Sequence, residues 1–79
     1  MKQSGTTEVL ERIGRKIAAL RRSALMTQGE LARKLRVKKE VVVRIEQGRY
    51  RLRMRLLLKI AHVLGRILKV TLIKRKGGV

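Results

Sequence analysis

The sequence contains no cysteine, proline, tryptophan or phenylalanine. Without cysteine the chain can form neither a disulfide framework nor a thiolate metal site, which suits a reducing compartment. The N-terminus lacks an apolar signal segment with a cleavage site, and the longest uncharged apolar run is too short to span a bilayer. We therefore expect a soluble, cytoplasmic protein that is neither exported nor held in a membrane.

Groups suited to catalysis are also scarce. The chain has one histidine, His62, and one tyrosine, Tyr50, and its five acidic residues are all glutamate. These glutamates are widely separated or lie on outward faces of predicted helices, so catalysis has little chemical support. We predict a protein that is not an enzyme, with no catalytic residues, no metal and no cofactor.

Positive charge is the most abundant chemical feature of the chain. Twenty-two Lys and Arg residues stand against five Glu, which gives a formal net charge of +17 for 79 residues. Self-repulsion on this scale opposes a compact fold, so a polyanionic partner is expected. Duplex DNA, RNA and an anionic membrane surface are the rival partners, and a merely solubilising surface is the alternative.

The first half of the chain predicts three helices. An apolar stripe of Leu10, Ile13, Ile17 and Leu20 predicts helix one over about 7–22, after a flexible N-terminus at 1–6. Thr27 and Glu30 have capping-box spacing, and Met26 and Leu31 have the spacing of a hydrophobic staple, so helix two spans about 28–35. A short break at 36–38 leads into helix three, about 38–47, which Gly48 closes. Two short helices joined this tightly indicate a helix-turn-helix.

The second half predicts one more helix and a strand. After a loop at 49–53, Met54, Leu57, Leu58, Ala61 and Leu64 recur at helical spacing, and Gly65 is a suitable residue to end that helix. Alternating β-branched and apolar residues then predict a C-terminal β-strand at 67–73, before a basic flexible tail at 74–79. Residues 7–73 would form a single domain.

The inward positions of helices two and three define an outward face. We expect Leu31, Leu35, Val37, Val42 and Ile45 to point into the core, and Ala32 to be small because helix three crosses helix two there. At 3.6 residues per turn, Glu40, Val43, Arg44 and Gln47 then face outward, with Lys39 and Val41 on the flanks. This is the face that would enter the major groove of DNA.

Three groups of residues stand in a register typical of one family. They are Thr27, Gln28, Glu30, Leu31 and Ala32; Val42, Ile45, Glu46 and Gly48; and Leu57, Leu58, Lys59, Ile60, Ala61, Leu64 and Gly65. In this register the stretch 26–48 resembles the helix-turn-helix of the Xre family, which includes phage repressor and Cro proteins and many bacterial antitoxins. A weaker resemblance extends over 13–72. It implies an all-α, lambda-repressor-like fold of four to five short helices with a central helix-turn-helix, here followed by the predicted strand.

The resemblance also implies which residues read bases. The family's readout positions are held by Lys39, Glu40 and Arg44, with Lys38 and Val41 also near the groove. Arg44 could bind guanine bidentately, Lys39 could reach guanine, and Glu40 could accept from cytosine. Val41 or Val43 could pack against a thymine methyl group. The alternative for Glu40 and Arg44 is an exposed ion pair between residues one turn apart.

Phosphate contacts are expected on both sides of helix three. By the same resemblance, Gln28 and the N-terminus of helix two bind a backbone phosphate through unpaired N–H groups and the helix dipole. Arg residues suit this role because the planar guanidinium matches a phosphate. For Tyr50 the alternative is packing. The full set of predicted phosphate contacts is Thr27, Gln28, Gln47, Arg49, Tyr50, Arg51 and Arg53.

The chain departs from the family at several positions. Arg36 stands where the family has Gly in the tight turn, and Lys38 stands where it has Ser or Thr at the helix cap. Arg53 replaces a small capping residue. Such departures indicate either a divergent natural member or an engineered DNA binder on this scaffold.

The predicted function is therefore sequence-specific binding of double-stranded DNA. If the protein is natural, it would be a nucleoid-associated transcriptional repressor or an antitoxin-type regulator. A homodimer through the strand at 67–73 and, for an antitoxin, a toxin are further partners to consider. The alternative is a basic RNA- or ribosome-associated protein. Duplex RNA hides its major groove from a helix, however, and readers of single strands need aromatic residues to stack bases, for which Tyr50 alone is thin support.

Overall fold

Four α-helices follow one another along the chain in a computed structural model that describes the backbone of residues 4–77 and the side chains of residues 7–66. They are α1 (Ser4–Ser23), α2 (Gln28–Leu35), α3 (Lys39–Gln47) and α4 (Met54–Gly77). Helix α1 begins three residues before the predicted start, because its first turn precedes the apolar stripe that indicated the helix. Helices α2 and α3 form the predicted helix-turn-helix.

The start of α2 has the predicted capping box. The Glu30 backbone N–H donates to Thr27 Oγ1 at 3.0 Å, and the Thr27 backbone N–H donates to Glu30 Oε1 at 2.8 Å. The predicted staple residues, Met26 and Leu31, are both buried in one core cluster. The sequence-level signals for this helix start are therefore confirmed.

The turn between α2 and α3 carries the expected strain. Arg36 adopts a left-handed conformation with φ of 61°, which costs a residue with a Cβ atom about 1 kcal/mol. The Val37 backbone N–H donates to Ala32 O at 3.0 Å, which closes the helix end. Lys59 Nζ donates to Leu35 O at 2.9 Å, so a cation from α4 also stabilises the C-terminus of α2.

Helix α3 is uncapped at its start and well closed at its end. Lys38 occupies the N-cap position without a side-chain hydrogen bond to the helix. At the other end Gly48 has a φ of 76°, and a Cβ there would lie 2.6 Å from the Glu11 side chain. Glycine at this position therefore allows both the left-handed turn and the close approach of α1.

The core lies where α1 and α2 pack against the inner face of α3 and α4 packs against α1 and α2. Of the predicted core positions, Leu31, Ala32, Leu35, Val42 and Ile45 are buried and Val37 is half-buried. From α4 the deeply buried residues are Ile60 and Leu64. Met54, Leu58 and Ala61, predicted to share the stripe with Leu64, are exposed. Because α4 is apolar on more than one side, its periodicity did not identify the buried side.

The predicted C-terminal β-strand is wrong. Residues 67–73 belong to α4, which continues through Gly65 and includes residues 74–77 of the predicted tail. Every regular element within residues 4–77 is a helix. A lone strand would have no partner for its backbone groups, whereas a helix pairs them internally. The homodimer predicted through this strand therefore loses its structural basis.

Candidate nucleic-acid interface

The outer face of α3 presents charged side chains to solvent. Lys39, Glu40 and Arg44 are all exposed, because Val42 and Ile45 on the opposite side are buried. Glu40 and Arg44 lie one turn apart, yet among the described residues the only salt bridge lies elsewhere. The carboxylate and the guanidinium are therefore both available to an incoming ligand rather than paired with each other.

The remaining predicted readout residues differ in exposure. Lys38 is exposed at the N-cap, whereas Val41 and Val43 are half-buried. Val41 packs against the core cluster, so only part of its side chain is presented outward. The outer face of α3 is thus mainly polar, with apolar surface at its margins.

The side chains of the loop between α3 and α4 point alternately to solvent and to the core. Arg49, Arg51 and Arg53 are exposed, while Tyr50 and Leu52 between them are half-buried and pack against the core. Because the intervening residues are anchored, the three guanidinium groups project from the same segment into solvent. Tyr50 therefore has the packing role that was the alternative to phosphate contact, and its half-exposed part remains at the surface.

A groove of about 580 Å³ opens beside this loop. Its apolar lining comes from Leu35, Val37, Tyr50 and Leu56, and its charged lining comes from Arg51, Arg53, Arg55 and Lys59. Arg55 and Lys59 were not predicted as site residues. The helical spacing of α4 places them one turn apart, and this spacing could have indicated that they extend the positive surface of the loop.

The N-terminus of α2 lies beside α3 and contains Thr27 and Gln28. The Thr27 hydroxyl oxygen accepts the Glu30 N–H, so its own hydrogen can still be donated. The Gln28 amide nitrogen donates to Glu46 Oε1 at 3.0 Å, so the side chain is oriented toward α3. The backbone N–H groups of Gln28 and Gly29 in the first turn have no intrahelical acceptor and could bind a phosphate.

Glu46 is the centre of a largely buried polar network that sequence analysis missed. Its carboxylate accepts from Arg21 Nε at 2.7 Å and from Arg21 Nη2 at 3.1 Å, besides the bond from Gln28. Arg21 Nη1 also donates to Met26 O at 2.8 Å. The network joins α1, the start of α2 and the end of α3, so it fixes α3 relative to the start of α2.

One signal in the sequence pointed to this network. Glu46 follows the inward-facing Ile45 and lies four residues after Val42, so its position on the helix is partly inward. A carboxylate at such a position requires a cation or several donors. Its partner, Arg21, is 25 residues away along the chain, and helical periodicity does not report contacts of that range.

The described part of the chain contains neither a membrane-crossing helix nor a cluster of metal-ligating side chains. Its helices all lack the combination of length and hydrophobicity needed to cross a membrane. Among these same residues, no three His, Cys, Asp or Glu side chains come together as metal ligands would.

Comparison with known proteins identifies a matching family. The model of a helix-turn-helix family, HTH_3, matches residues 17–67, which is more than half of the chain. The matched stretch begins in α1 and ends in α4, so it contains α2, the turn, α3 and the Arg loop. No curated protein and no solved structure matches the chain.

Proposed function

We propose a mechanism of DNA recognition from one premise: the chain belongs to the Xre-type helix-turn-helix family, whose members are DNA-binding regulators. In this mechanism α3 lies in the major groove of duplex DNA and reads base edges, while the segments on either side bind backbone phosphates. The observation that carries the proposal is the exposure of Lys39, Glu40 and Arg44 on the side of α3 opposite its buried residues.

The dimensions and chemistry of α3 suit a reading helix. An α-helix with its side chains is about 10–12 Å across and the major groove is about 12 Å wide, so the nine-residue α3 can lie in the groove. Arg44 is the residue expected to bind a guanine through O6 and N7, with Lys39 on a neighbouring base pair. Glu40 accepts from cytosine N4, and Val41 or Val43 contacts a thymine methyl group. Lys38 adds a cation where the helix enters the groove.

Phosphate contacts hold α3 in register. Arg49, Arg51 and Arg53 bind the backbone on one side, and the first turn of α2 with Thr27 binds it on the other. Gln28 acts chiefly as a positioning residue, because the hydrogen bond from its side-chain amide to Glu46 orients the two helices. Gln47 and Tyr50 border the same strip of surface.

The biological role that fits this mechanism is that of a transcriptional repressor or an antitoxin-type regulator. Either would act by occupying its DNA site, and an engineered binder on this scaffold would use the same contacts. Members of the family are typically not enzymes, and the chemistry proposed here is binding alone.

Three alanine variants separate reading from phosphate binding. A preferred site is first selected from a randomised duplex library, with duplex RNA as competitor. Arg44→Ala should then weaken binding to that site by about 1–3 kcal/mol and relax preference mainly at one G·C pair. Lys39→Ala should relax the sequence preference at a neighbouring base pair. Arg51→Ala, the matched loss of one positive charge, should weaken all sequences nearly equally.

Salt dependence completes the experiment. The logarithm of the binding constant should fall against log salt concentration with a slope of roughly −4 to −7 per monomer, and Arg51→Ala should reduce that slope by about one. If all three variants kept the same sequence preference, α3 would not be the reader. A slope near zero, or equal competition by duplex RNA, would remove the proposed function itself.

A further inference from the structure

A second side of α4 is apolar and uncovered by the rest of the fold. Met54 is 66% exposed and Leu58 is 61% exposed, although both are large hydrophobic residues. Ala61 and Gly65 continue the same line, and a Cβ at Gly65 would meet nothing within 4 Å. The spacing of four, three and four residues keeps these positions on one side of the helix. We call Met54, Leu58, Ala61 and Gly65 the outer stripe.

The outer stripe is distinct from the side of α4 that packs in the core. Successive residues are about 100° apart around a helix axis, so Ile60 and Leu64 lie on a different side from the stripe. Both of these residues are almost completely buried, as expected for the core side. The outer stripe is therefore a second apolar surface of α4, separate from the side that packs in the core.

Two exposed Arg residues, Arg55 and Arg66, lie beside the outer stripe, and we call them the row of cations. Arg55 and Arg66 are exposed and lie roughly 90–110° from the stripe around the axis, with His62 between them. Over its whole length, Met54–Gly77, α4 contains no Asp and no Glu. A partner on this side would therefore meet an apolar stripe with positive charge beside it.

We propose that the outer stripe is a docking surface for an acidic amphipathic helix of a partner protein. Its apolar residues would cover Met54 and Leu58, and its glutamates or aspartates would face Arg55 and Arg66. Ala61 and Gly65 are small enough to let two helix backbones approach to about 8 Å. The stripe thus supplies contact area, and the cations supply specificity for an acidic partner.

A second copy of the chain fits this surface less well. Each copy would bring the same row of cations and a net charge of +17, so self-association would place like charges next to the contact. An acidic helix removes that repulsion and replaces it with attraction. The proposal does not depend on how α3 reads DNA, because no residue of the outer stripe lies in α3 or among the proposed phosphate contacts.

Binding of a synthetic peptide to the full chain tests the proposal. The probe is a fluorescent, three-heptad peptide of about 21 residues with Leu at its a and d positions and Glu beside them. A scrambled peptide of the same composition keeps the charge but has no apolar side. In fluorescence anisotropy at about 0.15 M salt, the amphipathic peptide should bind at least about tenfold more tightly than the scrambled one.

Matched variants of the chain locate the contact. Leu58→Ser should weaken the amphipathic peptide by about tenfold or more, and Met54→Ser should act in the same direction. Leu25→Asn is the control, because Leu25 is 83% exposed and lies in the turn after α1. This control should bind the peptide as the parent chain does, and circular dichroism should show that all three variants are folded.

Three results would overturn the proposal. Equal binding of the scrambled peptide would mean that only the charge of the chain attracts it. An unchanged affinity in Leu58→Ser and Met54→Ser would place the contact elsewhere. A dimer in sedimentation that Leu58→Ser dissociates would assign the stripe to a second copy. DNA affinity of Leu58→Ser, measured in parallel, should remain at the parent value, which distinguishes failure here from failure of DNA binding.

Discussion

Arg21→Met should destabilise the fold far more than the loss of an ordinary surface charge. The side chains of Arg21 and Glu46 are only 11% and 7% exposed, and their closest N and O atoms are 2.7 Å apart. Removing the cation leaves the Glu46 carboxylate buried with Gln28 as its remaining side-chain donor. A buried pair that loses one member typically costs about 3–5 kcal/mol of stability, whereas an exposed substitution costs within about 0.5 kcal/mol.

The size of the chain makes this loss easy to measure. A domain of this length is expected to have a free energy of unfolding of about 4–12 kcal/mol, so the variant should lose a large part of it. Thermal unfolding followed by circular dichroism should show a fall in Tm of at least about 12 °C, since 1 kcal/mol corresponds to about 4–8 °C in a domain of this size. Glu46→Leu should be similarly destabilised, because it leaves the Arg21 guanidinium without its carboxylate.

The double variant Arg21→Met/Glu46→Leu decides whether the pair is coupled. Replacing both members with apolar residues removes the unpaired charge, so its stability should lie within about 1–2 kcal/mol of the parent chain. The sum of the two single losses should exceed the double loss by several kcal/mol. Glu40→Gln is the control, since Glu40 is an exposed carboxylate on the same helix. Additive losses, or single variants as stable as Glu40→Gln, would refute the reasoning.

Three further substitutions test helix packing and helix capping. Gly14→Ala should lower the free energy of unfolding by about 1–3 kcal/mol, because the new Cβ would lie 2.7 Å from Glu46 O. Gly65→Ala should raise the free energy of unfolding by about 0.5–1 kcal/mol, because Gly65 is a helical residue facing open space. Urea unfolding measures both, and equal effects would contradict the difference in packing. Lys38→Ser should raise stability by about 1 kcal/mol by capping α3, yet weaken DNA binding by removing a cation. A variant that gained no stability, or that bound DNA as well as the parent, would contradict one half of this prediction.

Features set by residues close together in the chain were predictable from sequence. The bounds of α2 follow from Thr27, which caps its start, and from the break in apolar spacing at its end. The end of α3 follows from Gly48, and the inward positions of both helices follow from one period of 3.6 residues. The exposure of Lys39, Glu40 and Arg44 is a consequence of that same period. These inferences need no knowledge of what packs on the other side.

Features set by distant residues were not predictable in this way. Alternating Leu68, Val70 and Leu72 fit a strand locally, but a strand also needs a partner, and only the whole chain shows that the other elements are helices. Which side of α4 is buried depends on α1 and α2, because the helix has apolar residues on two sides. The Arg21–Glu46 pair joins positions 25 residues apart and leaves no periodic signal.

The helix-turn-helix is least favourable locally where it is most positively charged. Arg36 is in a left-handed conformation that glycine would adopt more easily, and Lys38 is an N-cap without a capping bond. Both residues put a cation beside the start of α3, where the helix dipole is also positive, so neither choice favours folding. A phosphate bound at this end would reverse the sign of the effect, because it would meet two cations and unpaired backbone N–H groups together. The contact between Arg21 and Glu46 lies at the other end of α3, so α3 can remain fixed to the fold while its first turn carries an unfavourable charge that a bound phosphate would offset.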